Sequence, residues 1–146
     1  MHKRIVLVED DQLISEAISY RLRANGYRVS IAADASEAAD CLLTEPPDIV
    51  LMDINLPDDN GISLAGRMRL LGSTVDVPII FVTASRDPEY RLRAEALGIQ
   101  LLEKPLQAAK LLKAIAATLE MSGTQVEQNT LDTAARFERS GSSPRV

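Results

Sequence analysis

Four short apolar runs in this chain each end in residues able to do chemistry. Ile5-Val6-Leu7-Val8 runs into Glu9-Asp10-Asp11, and Ile49-Val50-Leu51-Met52 into Asp53. Pro78-Ile79-Ile80-Phe81-Val82 runs into Thr83, and Ile99 to Leu102 into Glu103-Lys104-Pro105. If the runs are neighbouring strands, Glu9, Asp10, Asp53, Thr83 and Lys104 share one sheet edge. Carboxylates crowded together repel and take up protons unless a cation neutralises them. Oxygen donors without His or Cys suit a hard metal, and Mg2+ is usually held by one or two carboxylates, waters and a phosphate oxygen. Lys104 adds a compact positive charge suited to a phosphoryl oxygen. In-line phosphoryl transfer needs mainly positioning and charge stabilisation, which a metal and a lysine supply. Asp53 is then a carboxylate nucleophile that forms an acyl phosphate, with the Thr83 hydroxyl near the new group.

Each residue alone has a plainer reading. An Asp ending a strand commonly forms a turn or caps a helix. Glu9-Asp10-Asp11 alone is a solvated turn whose acids favour the next helix's N-terminus. Thr83 alone is a strand or cap residue, and Lys104-Pro105 a loop start. Their joint appearance at four strand ends is what points to chemistry.

The elements that must position these residues follow from periodicity. Unbroken apolar runs read as strands buried on both faces of a parallel sheet. Arg28 to Ala32 alternates and suits a strand near the edge. A helix is expected after Asp11, with Leu13, Ile14, Ala17, Ile18 and Leu22 on its inner stripe and Asn25-Gly26 at its end. Further helices are expected over Ala35 to Thr44, Ile62 to Leu71, Pro88 to Leu97 and Leu106 to Met121. In the last of these, Leu111, Leu112, Ile115 and Leu119 face inward. Arg67, Arg69, Arg91 and Arg93 are expected on exposed helix faces. Five strands alternating with five helices imply an α/β fold, a parallel sheet wound on both faces. A carboxylate at the carboxyl end of its central strand sits where such sheets bind ligands.

Composition narrows the function classes. The 146 residues suffice for one domain with a sizeable core. A net charge of -5 and 3% aromatic residues, without Trp, argue against a nucleic-acid surface. No apolar run approaches membrane-spanning length, and the four apolar residues after Met1-His2-Lys3-Arg4 are too few for a signal core. The single Cys41 allows no internal disulfide and fits a reducing cytoplasm. His2 is the only histidine, which leaves out a His-ligated metal site or a Ser-His-Asp triad. From Ser122 the composition turns polar, with Leu131 to Arg139 able to form a short amphipathic helix. The expected division is therefore 1–121 as the folded domain and 122–146 as a polar tail too short for an output domain.

Taken in order, VLVEDD at 6–11, IVLMDINLPDDNG at 49–61, FVTAS at 81–85 and LLEKP at 101–105 resemble the receiver domain of bacterial two-component response regulators. The resemblance covers about Lys3 to Met121. It implies a flavodoxin-like sheet of five parallel strands in the order 2-1-3-4-5. It makes Asp53 the phosphoacceptor, Thr83 the switch hydroxyl and Lys104 the lysine that contacts phosphate. It implies Mg2+ held by Asp10, Asp53 and the Asn55 main-chain carbonyl, with Glu9 acting through water, and a cis Lys104-Pro105 peptide. The implied donor is a phosphohistidine on a sensor histidine kinase or a histidine phosphotransfer protein. The implied output is binding of a downstream protein, with homodimerisation through the face of the fourth helix, fifth strand and fifth helix. No nucleic-acid or membrane partner is expected, and the expected location is cytoplasmic.

The chain departs from the family two positions before Glu103, where Leu101 replaces the usual Tyr or Phe. Leucine has neither ring nor hydroxyl, so a modest surface change on phosphorylation is expected. Pro105-Leu106 likewise replaces the more usual Pro-Phe. Two other classes compete. Haloacid-dehalogenase-type phosphatases also combine a strand-end Asp, a Thr or Ser, a Lys and Mg2+, but they need a second Asp where this chain has Asn55. Their nucleophile strand is also first rather than third. A receiver-like adaptor working without phosphorylation would not need the complete set of Glu9, Asp10, Asp53, Thr83 and Lys104.

Overall fold

The all-apolar runs form the middle of a sheet because burying both faces removes the most apolar surface from water. The computed structural model describes residues 2–122. In chain order the strands are β1 (Arg4–Val8), β2 (Arg28–Ala32), β3 (Ile49–Asp53), β4 (Ile79–Thr83) and β5 (Gln100–Glu103). The helices between them are α1 (Gln12–Ala24), α2 (Ala35–Thr44), α3 (Gly61–Met68) and α4 (Pro88–Leu97). A fifth helix, α5, occupies 108–122. All strand pairs are parallel, in the order β2-β1-β3-β4-β5. Every residue of β1, β3 and β4 is buried, whereas β2 at one edge is mostly half-buried.

Alternate strand residues face opposite sides and build two cores. Val6, Val8, Val50, Met52 and Phe81 pack with Ala38, Leu42, Ile62, Met68 and Ala94 of α2, α3 and α4. Ile5, Leu7, Ile49, Leu51 and Ile80 pack with Leu22 of α1 and Leu111 and Ile115 of α5. The sheet is therefore wound on both faces. Register aligns the strand ends, pairing Leu7 with Leu51, Asp53 with Val82 and Thr83 with Glu103. Phe81 is fully buried in the first of these cores, and truncating such a ring to Ala costs about 3–5 kcal/mol.

The inner face of α1 differs from the expected stripe. Ser15, Ser19 and Leu22 are buried, while Leu13 is 80% exposed and Ala17 is also exposed. Ile14 and Ile18 are half-buried. The serines suit a tightly packed helix because they are small and satisfy their own hydroxyls. Ser15 Oγ donates to the Gln12 carbonyl at 3.1 Å and Ser19 Oγ to the Glu16 carbonyl at 3.0 Å.

Helix α3 stops at Met68 rather than Leu71. Thr74 Oγ1 donates to the Met68 carbonyl at 2.8 Å, closing the helix end early. Arg69, half-buried rather than on an exposed face, donates to the Val77 carbonyl at 2.7 Å, and burial holds its pKa below the usual guanidinium value. Leu71 is 48% exposed beyond this turn. Helix α5 begins at 108 instead of 106, and its Leu112 and Leu119 are half-buried rather than fully inward. The Lys104-Pro105 peptide is cis, as the resemblance implies. Apart from Ser122, which continues α5, the polar tail with its expected 131–139 helix lies outside the described residues. Among the described residues no helix is long and apolar enough to cross a membrane.

Candidate functional site

The carboxyl ends of β1, β3 and β5 bring Glu9, Asp10, Asp53 and Lys104 together. Carboxylate oxygens of Glu9, Asp10 and Asp53 lie within 4.8 Å of one another. Glu9 and Asp53 are buried and Asp10 is exposed. Lys104 Nζ donates to Glu9 Oε1 at 2.8 Å and to Asp53 Oδ2 at 3.1 Å, bridging two buried acids from the end of β5, two strands from β3 and three from β1. Burial raises the Glu9 pKa from 4.5 to about 7, helped by its hydrogen bond with Asp53 and opposed by Lys104. Burial alone would lower the Lys104 pKa, but its bonds to Glu9 and Asp53 outweigh that and raise it. The pocket therefore carries more acid than one lysine neutralises, a condition that favours a further cation.

The donor set fits a hard divalent ion. All available groups are oxygens, and two oxygens on opposite sides of Mg2+ lie about 4.2 Å apart, within the 4.8 Å that bounds the separations of these three carboxylates. The loop after β3 supplies the rest of the wall. Asn55 donates its amide to Asp53 Oδ1 at 3.1 Å and bridges antiparallel to Asn60. Gly61 N donates to the Ile54 carbonyl at 2.6 Å, and a Cβ on Gly61 would sit 2.3 Å from the Asp53 carbonyl oxygen. Glycine is required there by close backbone approach rather than by its φ.

Thr83 ends β4 beside Val82, the register partner of Asp53, and is buried. Its hydroxyl oxygen accepts from the Ser85 amide at 3.0 Å and has no hydrogen bond to Asp53 or Lys104 among the described residues. The structure thus joins Glu9, Asp10, Asp53, Asn55 and Lys104 directly and holds Thr83 one strand away.

Several contacts were not legible in the sequence. Asp58 accepts from the Ala35 amide at 2.8 Å and the Ser36 amide at 3.1 Å, bracing the loop against the start of α2. Tyr90 of α4 donates its hydroxyl to Asn55 Oδ1 at 3.2 Å. Arg67 pairs with Asp59 and Arg91 with Glu103, each at 2.7 Å, so two of the arginines expected on exposed helix faces are exposed and meet acids of this same edge. The run Asp58-Asp59-Asn60-Gly61 signalled a turn, but no local pattern announced which backbone or helix it would grip.

A doubly wound parallel sheet with an acidic pocket at the carboxyl ends of its strands defines a receiver-type α/β domain. The response regulator receiver family matches residues 5–116, and the chain belongs to it. It is 29% identical to a CheY-like response regulator receiver domain protein from Methanospirillum hungatei JF-1, with TM-score 0.80, over 86% of this chain and 99% of that one. It is 27% identical to the chemotaxis response regulator CheY4 of Vibrio cholerae, with TM-score 0.75, over 81% of this chain and 99% of that one. NtrX from Brucella abortus shares the fold at 24% identity and TM-score 0.82, over 90% of this chain and 30% of that one. The receiver domain is a signalling module of two-component systems rather than a classical enzyme.

Proposed function

We propose that Asp53 accepts a phosphoryl group from a phosphohistidine on a sensor histidine kinase or histidine phosphotransfer protein. The observation that carries this reading is the Lys104 bridge between the buried Glu9 and Asp53, with Asp10 close by. An Asp53 oxygen forms the new P–O bond as the P–N bond breaks, and the departing imidazole takes a proton from water. Asp10, Asp53 and the Asn55 main-chain carbonyl would hold Mg2+, with Glu9 acting through water. When bound, Mg2+ supplies charge to offset that of the transferring group. Lys104 contributes a second positive charge, and burial of Asp53 keeps competing water sparse. Thr83, now engaged with the Ser85 amide, is the hydroxyl that would turn to the phosphoryl oxygen.

In this reading residues 1–121 form the receiver unit. Its output is protein binding through α4, β5 and α5, including self-association, and its working compartment is the cytoplasm. Leu101 gives β5 no ring to reorient, so the response on that strand is modest. The test is incubation with a small phosphodonor and Mg2+ followed by intact mass. The expected result is one phosphoryl adduct on the wild type and none on Asp53→Asn. An unmodified wild type, or an adduct that survives Asp53→Asn, overturns the proposal.

A further inference from the structure

Asn55 is the point at which the site reaches beyond its own loop. Its amide binds Asp53 Oδ1 at 3.1 Å, while its side-chain oxygen accepts from the Tyr90 hydroxyl at 3.2 Å. Asn55 is exposed, so water could serve that oxygen equally well. A tyrosine that reaches it from a helix 35 residues further along adds geometry rather than mere satisfaction. The Tyr90 ring is half-buried and, with Leu97 and Leu101, packs against the core under α2, α3 and α4. Helix α4 is otherwise lightly held, with Ala94 its one buried residue. The tyrosine therefore ties a loosely packed helix to the residue beside the acidic pocket.

We infer that Tyr90 is a positioning residue for the cation pocket, holding Asn55 from α4 so that divalent-ion affinity depends on how α4 is docked. This rests on the reading of Glu9, Asp10, Asp53 and the Asn55 carbonyl as a Mg2+ site. A loop already held in one arrangement loses less freedom when it takes an ion, so the tether raises affinity. Binding linkage is reciprocal, so the ion also steadies Tyr90 and the start of α4 by the same factor. The arrangement gives α4 a polar route to the site that Leu101, lacking any polar atom, does not offer on β5.

The experiment is a Mg2+ titration of the full chain by calorimetry for wild type, Tyr90→Phe, Asn55→Ala and the double variant. Tyr90→Phe keeps the packed ring and removes only the hydroxyl. Asn55→Ala removes the acceptor and keeps the main-chain carbonyl. Tyr90→Phe is expected to weaken Mg2+ binding about two-fold, below the roughly five-fold ceiling set by the whole worth of one neutral hydrogen bond, because the bond is also made without the ion. Its thermal midpoint without Mg2+ should fall by a few degrees at most, since the packed ring is kept. In the Asn55→Ala background the same change should add nothing. With only three tyrosines in the chain, the ring resonance of Tyr90 should follow the titration in wild type and lose that response in Asn55→Ala. Equal Mg2+ affinity in Tyr90→Phe and wild type overturns the inference, as does a full effect of Tyr90→Phe in the Asn55→Ala background. Absence of Mg2+ binding in the wild type overturns the metal-site reading itself, a result distinct from the other two.

Discussion

Replacing Lys104 with methionine tests the electrostatics of the site most directly. The change keeps most of the apolar stem and deletes the charge that bridges Glu9 at 2.8 Å and Asp53 at 3.1 Å. At an effective dielectric of about 20, the gross attraction to each carboxylate is about 5 kcal/mol, most of it offset by desolvation. The lysine side chain is 16% exposed and those of Glu9 and Asp53 are 3% and 7% exposed, so its loss strands buried negative charge. Stranding one partner of a buried pair costs about 3–5 kcal/mol. Here the cost has a ceiling, because Glu9 already titrates near 7 and can take up a proton. At pH 8 that proton costs about 1.4 kcal/mol for each pH unit above the pKa. We therefore expect a loss of about 3 kcal/mol at pH 8, or about 10 °C in thermal midpoint. At pH 5 Glu9 is protonated in both proteins and only the Asp53 contact is lost, so the deficit should be about half as large. The assay is thermal unfolding by circular dichroism at both pH values without divalent ions, then with Mg2+. Addition of Mg2+ should recover part of the loss at pH 8. Equal midpoints of variant and wild type at pH 8, or an equal deficit at both pH values, refutes the reasoning.

Glu9 should also shape the wild-type stability profile. Its folded pKa lies above its unfolded value, so its stabilising contribution is complete below about 4.5 and fades as pH rises through about 7. Glu9→Gln should flatten that decline in unfolding scans without Mg2+, and an unchanged pH slope would count against a buried, partly protonated Glu9. Gly61→Ala places a methyl 2.3 Å from the Asp53 carbonyl oxygen, so the loop must move. The expected cost is about 2 kcal/mol, read by urea unfolding, together with slower adduct formation; wild-type behaviour in both would remove the close-approach argument. Asp58→Ala frees the Ala35 and Ser36 amides at the start of α2 and should cost about 1 kcal/mol in the same assay.

The sequence by itself determined the sheet and the identity of the residues at its edge. Apolar runs such as Ile49 to Met52 leave a strand little choice but burial on both faces, and each run hands its next residue to the same edge. Helices α2 and α4 fall on the expected 35–44 and 88–97, and in the structure the Asp34 and Asp87 side chains cap their starts. The inner face of α1 was not legible in this way. Hydrophobicity favoured Leu13 and Ala17, whereas close packing against the sheet selected Ser15 and Ser19, whose hydroxyls the helix satisfies internally. The early end of α3 depended on Thr74 and Arg69 finding carbonyls across a turn, a match of positions rather than of residue types.

Only the tertiary structure decided which polar groups touch. Lys104 reaches Glu9 across 95 residues and Tyr90 reaches Asn55 across 35, distances over which periodicity carries no signal. Burial is a local, repeating demand and leaves its mark on the sequence as a pattern. A hydrogen bond between distant residues depends on register, helix rotation and rotamer together, and those exist only once the chain has packed.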